Sequence, residues 1–175
     1  DFARIGLDSK KRQAENWIYT DDFVADNSWN GREHNHFFRN LGNGRFMEMG
    51  VALGLDGTAD ARGFAASDFD HDGDIDLVVN NYNAPAYYYV NHWNQEGNWL
   101  AVSLRGTKTN RDGVGSEITV HIDNRPQHRL VSAGHAYTGQ FSLEQIFGMG
   151  QTEIAEVRVR WPDGREENFG PQKAR

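Results

Sequence analysis

The stretch that most constrains this chain is Asp68-Phe69-Asp70-His71-Asp72-Gly73-Asp74-Ile75-Asp76, five carboxylates within nine positions and no Lys or Arg among them. Like charges crowded in this way repel one another unless a cation joins them. Carboxylates spaced 1, 3 and 5 converge on a hard ion that takes roughly six to eight oxygens at about 2.3–2.6 Å. Gly73 follows the third acid and permits a sharp turn. The spacing predicts Asp68, Asp70, Asp72 and Asp76 as side-chain ligands, with Asp74 giving its backbone carbonyl. His71 is expected to point away, because imidazole suits other metals. The expected ion is Ca²⁺, since Mg²⁺ keeps several waters and seldom takes so many protein ligands.

An EF-hand places a bidentate Glu at the twelfth loop position. Here that position is Val79, and Leu77-Val78-Val79 favours a strand over an exiting helix. The loop is therefore expected between strands.

The rest of the chain fits that setting. Short β-branched and aromatic runs are punctuated by Gly, Asn and Asp, a pattern of sandwiches, barrels and propeller pieces. Strands are predicted at 16–19, 37–40, 63–67, 76–80, 87–91, 99–104, 117–122, 128–132 and 155–161. Asn43-Gly44 and Pro162-Asp163-Gly164 carry hairpin-turn chemistry. Residues 10–16 read as a charged loop, with a helix as the competing assignment. Residues 2–8 echo 46–56 at a spacing of 44 to 48 residues, a propeller-like period.

The fold expected is all-β, with a boundary near 92–98 where polar residues and Gly97 interrupt the pattern. Residues 1–97 read as a propeller-blade-like repeat region and 98–175 as a small β-sandwich or barrel-like domain. The core expected for the second part is Trp99, Val102, Leu104, Ile118, Val120, Leu130, Phe141, Leu143, Phe147, Val157, Val159 and Trp161.

Charge narrows the partners. Eighteen basic against 25 acidic side chains leave a net charge of -7, which argues against a nucleic-acid backbone or an anionic membrane surface. No apolar run approaches the roughly 18 residues of a membrane span. Cysteine is absent, excluding disulfide scaffolds, zinc ribbons and thiol nucleophiles. The start at Asp1 without Met reads as a processed product or a fragment.

Other constellations carry less chemistry. His34 and His36 lead into a strand, with transition-metal binding as the sharper alternative. Asp21, Asp22, Asp26 and Asn27 lack the spacing of a second calcium site and read as a solvated acidic loop. Asn110-Arg111-Asp112-Gly113 reads as a turn closed by its own side chains. Ser132 and His135 have no neighbouring Asp and no G-x-S-x-G elbow, and H-E-x-x-H, Walker A and G-x-G-x-x-G are missing. No catalytic residues are assigned, and an enzyme is not expected. Exposed Trp and Tyr, among them Tyr87, Tyr88, Tyr89 and Trp93, keep a carbohydrate- or matrix-binding, lectin-like module as the alternative, beside a non-catalytic subunit of a larger enzyme complex.

Phe37-Phe38-Arg39-Asn40-Leu41-Gly42-Asn43-Gly44-Arg45-Phe46 resembles the L-F-x-N-x-G-x-G-x-F hairpin of VCBS/FG-GAP-type repeats. Gly63-Phe64-Ala65-Ala66-Ser67-Asp68-Phe69-Asp70 resembles that family's approach to its calcium loop. Downstream, Trp99-Leu100, Asn110–Gly115, Phe147-Gly148-Met149-Gly150 and Trp161-Pro162-Asp163-Gly164 resemble the ASPIC/UnbV domain. The resemblance implies secreted, calcium-stabilised, non-catalytic interaction modules for adhesion or assembly. Unpaired strand edges, Tyr87–Val90 foremost, would supply pairing with a protein partner or with further copies of the chain.

Overall fold

A computed structural model describes residues 33–92, 97–123, 125–137 and 139–175. The expected strand at 16–19, the loop or helix at 10–16, the acidic loop at 21–27, the repeat at 2–8 and Trp93 lie outside the described residues. Backbone packing divides the chain into two compact units. One holds the described residues up to Arg62 with Val79–Tyr87, and the other holds Gly63–Val78 with Tyr88–Arg175.

The first unit contains the hairpin of β1 (Phe38–Gly42) and β2 (Arg45–Glu48), then a single-turn helix α1 (Gly50–Leu53). Asn43 and Gly44 take φ values of 49° and 76°, the paired positive angles of a tight hairpin turn. The strands pair antiparallel through Phe38 with Glu48, Arg39 with Met47 and Asn40 with Phe46. Next in the chain come β3 (Ala61–Ser67), β4 (Asp76–Asn81) and β5 (Tyr87–Tyr89), which form a three-stranded sheet in that order; Gly63–Val78, with the acidic loop, is counted in the second unit.

The second unit carries the core. It adds β6 (Asn98–Val102), β7 (Glu117–Ile122), β8 (Arg125–Leu130), β9 (Gln145–Gly150), β10 (Ile154–Arg160) and β11 (Glu166–Lys173). A four-stranded sheet runs β11–β10–β7–β8, and β6 pairs with β9. β7 and β10 alternate buried and less buried positions along their whole length. Because successive strand side chains face opposite ways, that alternation gives the four-stranded sheet one apolar face. Ile118, Val120, Val157 and Val159 lie on it and pack with Leu100, Phe147, Met149 and Trp161. The Pro162–Gly164 turn connects β10 to β11. There Trp161 donates its amide to the Arg165 carbonyl at 2.8 Å, and Gly164 donates to the Trp161 carbonyl at 2.9 Å.

The structure differs from the expected elements in particular places. β2, β9 and β11 are strands that the hydrophobic pattern did not announce. Leu130, expected in the core, is 61% exposed, whereas Val131 beside it is 1% exposed and accepts Gly115 and donates to Ser116 through its backbone. Strand geometry is the reason: a one-residue change of register exchanges the two faces.

The two residues separate cleanly by substitution. Phe147→Ala empties a fully buried site and is expected to cost roughly 3–5 kcal/mol in urea unfolding. Leu130→Ala is expected to stay within about 0.5 kcal/mol of the parent, as exposed substitutions do. Equal losses at both positions would contradict this register.

Candidate metal centre

The acidic loop starts where β3 ends and finishes where β4 begins, so two strands hold its ends. Asp68, Asp74 and Asp76 are buried, while Asp70 and Asp72 are exposed. Burying a charged carboxylate is costly unless donors surround it, and the donors come mostly from backbone. Asp68 accepts the Asp72 amide at 3.1 Å on one oxygen and the Gly73 amide at 3.0 Å on the other. Asp72 accepts the Asp74 amide at 2.9 Å. The first two bonds curl the loop over the first acid, and the third closes its next turn.

Asp76 is fully buried. Its Oδ2 accepts the Phe69 amide at 3.2 Å and the Tyr88 hydroxyl at 3.3 Å, and its Oδ1 accepts the Asn91 amide at 2.8 Å. The Asn91 side-chain amide donates to the Ile75 carbonyl at 3.3 Å, a second bond from the same residue. Burial first, then the charge of Asp76, raises the Tyr88 phenol above its ordinary pKa. Phe69 meets the Tyr88 ring edge-on at 5.9 Å.

Gly73 turns the loop at φ 96°, and His71 also takes a left-handed φ of 62°. A Cβ on Gly73 would fall inside the Trp99 indole. Glycine is therefore required twice, for its backbone angle and for the ring against it. Trp99 in turn exchanges backbone hydrogen bonds with Arg175, at 2.9 Å and 3.3 Å, and the Arg175 guanidinium lies 5.5 Å from the indole centroid. The expected core role of Trp99 takes this form: a half-buried ring seated on the acidic loop.

The exposed acids converge. Ligand atoms of Asp70, Asp72 and His92 lie within 4.8 Å of one another, with His92 Nδ1 3.9 Å from Asp72 Oδ2. Desolvation, then the charges of Asp72 and Asp76, raises the Asp70 carboxyl above its usual range. His92 had no signal in the sequence, because it reaches the loop only after the chain has passed through β4 and β5. His71 does not join this group. Asp74 contributes a buried position and an amide bond, and Asp68 and Asp76 hold the loop closed.

The donor set fits a hard cation. Two exposed carboxylates face a common point, and an ionised carboxylate has about four lone-pair sites, so Asp68 and Asp76 keep acceptor capacity beyond their amide bonds. Among these residues Asp68, Asp70, Asp72 and Asp76 would hold the ion, which would neutralise acids that otherwise repel.

The other constellations resolve into local structure. His34 Nδ1 lies 3.0 Å from the Asp56 carbonyl, and His36 Nδ1 lies 3.8 Å from Glu48, so the two imidazoles engage different partners. Asn110 closes its turn with both side-chain groups, accepting the Val114 amide and donating to the Val114 carbonyl, each at 2.7 Å. Ser132 donates to the Gly134 carbonyl at 3.5 Å.

Two stretches of the chain are similar to known protein families. The sequence profile of the FG-GAP-like repeat matches residues 19–79, and that of ASPIC and UnbV matches 106–175. Cartilage acidic protein 1 of Xenopus tropicalis is 29% identical over 107 residues, which cover 59% of this chain and 16% of that protein. The Mus musculus and Homo sapiens proteins of the same name are 26% identical over 131 residues, 73% of this chain and 20% of theirs. The chain thus spans a fifth or less of the length of these relatives. Neither profile nor relative carries the name of an enzyme. The stretch similar to the FG-GAP-like repeat includes the acidic loop up to Val79, and the stretch similar to ASPIC and UnbV includes the Trp161–Gly164 turn.

Proposed function

We propose that this chain is a calcium-binding, non-catalytic interaction module working outside the cell, in adhesion or assembly. The observation that carries the reading is the loop itself: two buried acids fastened to backbone amides hold two exposed acids at a common point. The similarity to proteins named for cartilage supports an extracellular setting. Among the described residues no helix is long and apolar enough to cross a membrane.

Exposed apolar surface supports the interaction role. Phe38, Phe46 and Val51 stand exposed on the β1–β2 hairpin and the helical turn after it. Apolar side chains gathered in one place on a surface mark sites of association.

Extracellular calcium modules bind at about 10⁻⁴ to 10⁻³ M. At millimolar calcium, occupancy then adds about 0.4–1.4 kcal/mol. For a chain of this size that is a rise of about 1–5 °C in melting temperature. Asp70→Ala is expected to abolish the rise, measured by calorimetry in chelator and in calcium. A full rise in Asp70→Ala would place the ion elsewhere and overturn the reading. Gly73→Ala should lower the melting temperature in chelator as well as in calcium, because its methyl group displaces Trp99 whether or not the ion is bound. Typical overpacking costs about 1–3 kcal/mol. Gly148→Ala, whose added Cβ meets nothing within 4 Å, is the control and should cost less.

A further inference from the structure

The two backbone bonds between Trp99 and Arg175 join the start of β6 to the residue range just beyond β11. Past that point, among the described residues, β11 is hydrogen-bonded to β10 and β6 to β9. A cavity of about 450 Å³ lies where residues 100–107 face Val157, Val159, Trp161 and the β11 side chains. That volume falls within the roughly 300–1,000 Å³ of small-molecule sites.

Its walls are apolar on both sides, from Leu100, Val102 and Leu104 on one and Val157, Val159 and Phe169 on the other. Trp161 also lines it, is only 6% exposed, and its indole Nε1–H meets no acceptor. A buried donor without a partner costs about 1–3 kcal/mol, so it is rare without a purpose. The mouth carries two guanidinium groups. Arg165 is committed, to Asp163 at 2.7 Å and to Glu167 at 3.2 Å. Arg105 is exposed and meets no carboxylate among the described residues.

The geometry points to a binding site for a carboxylic acid with an apolar tail, its tail between the β6 and β10–β11 side chains and its carboxylate between the Trp161 indole N–H and Arg105. The pieces are complementary. The walls offer the tail what water does not, at about 25 cal/mol per Å² of apolar surface covered. The indole can only donate, and Arg105 supplies the opposite charge. Glu167 is paired with Arg165, which also holds Asp163, so the positive charge available to an incoming anion is that of Arg105.

Decanoate is the probe, added to the ¹⁵N-labelled full chain while the indole N–H resonances are followed. The Trp161 resonance is identified by its loss in Trp161→Phe. A saturable shift of that resonance is expected, with Arg105→Gln weakening the affinity about tenfold or more, as for a hydrogen bond to a charged group. Val102→Trp, which fills the cavity, should remove binding while the melting transition persists. Two results overturn the proposal: a Trp161 resonance unmoved at millimolar decanoate, or parent-like affinity in Arg105→Gln. Should Val102→Trp fail to fold, the parent titration and the exposed Arg105→Gln variant still decide the matter.

Discussion

The buried carboxylate of Asp76 holds three donors that come from separate stretches of chain: the Phe69 amide, the Tyr88 hydroxyl and the Asn91 amide. Removing that side chain would strand all three, and unsatisfied buried groups are costly. Asp68 does the same at the other end of the loop for Asp72 and Gly73. Within one run of five acids, burial therefore divides the labour. The buried acids fix the backbone, and the exposed Asp70 and Asp72 are left facing a common point beside His92.

This fixing reaches beyond the loop. The Trp99 indole rests on Gly73, and Trp99 is also the residue through which β6 meets Arg175. An ion bound in the loop would tighten the surface on which β6 is seated, since both belong to the second unit. The same strand forms one wall of the cavity beside Trp161. The acidic loop and β6 are linked by direct packing, through the Trp99 indole on Gly73.

Much of this was legible in the sequence for a physical reason: strong local signals have short range. Asn43-Gly44 and Pro162–Gly164 fix turns within four residues, and the alternation in β7 and β10 fixes a buried face within seven. The acid spacing announced the loop and its flanking strands. β9 escaped the pattern because Gly148 and Gly150 lower strand propensity. β11 escaped it because it is a charged edge strand with Pro171 and a bulge opposite Val157 and Arg158. Leu130 and Val131 are both apolar neighbours, and composition alone does not say which faces inward. The division of roles among the five acids, the arrival of His92 and the seating of Trp99 on Gly73 are products of long-range pairing, which local spacing does not encode.

The proposed cation would be held by Asp70 and Asp72, in the loop whose Gly73 lies against the Trp99 indole. Terbium, which substitutes for calcium and emits when a nearby indole transfers energy to it, tests that juxtaposition directly. Excitation of tryptophan should give sensitised terbium emission that calcium displaces, that Trp99→Phe reduces, and that Asp70→Ala with Asp72→Ala abolishes. Emission that survives the double substitution undiminished, or that calcium does not displace, would contradict the account.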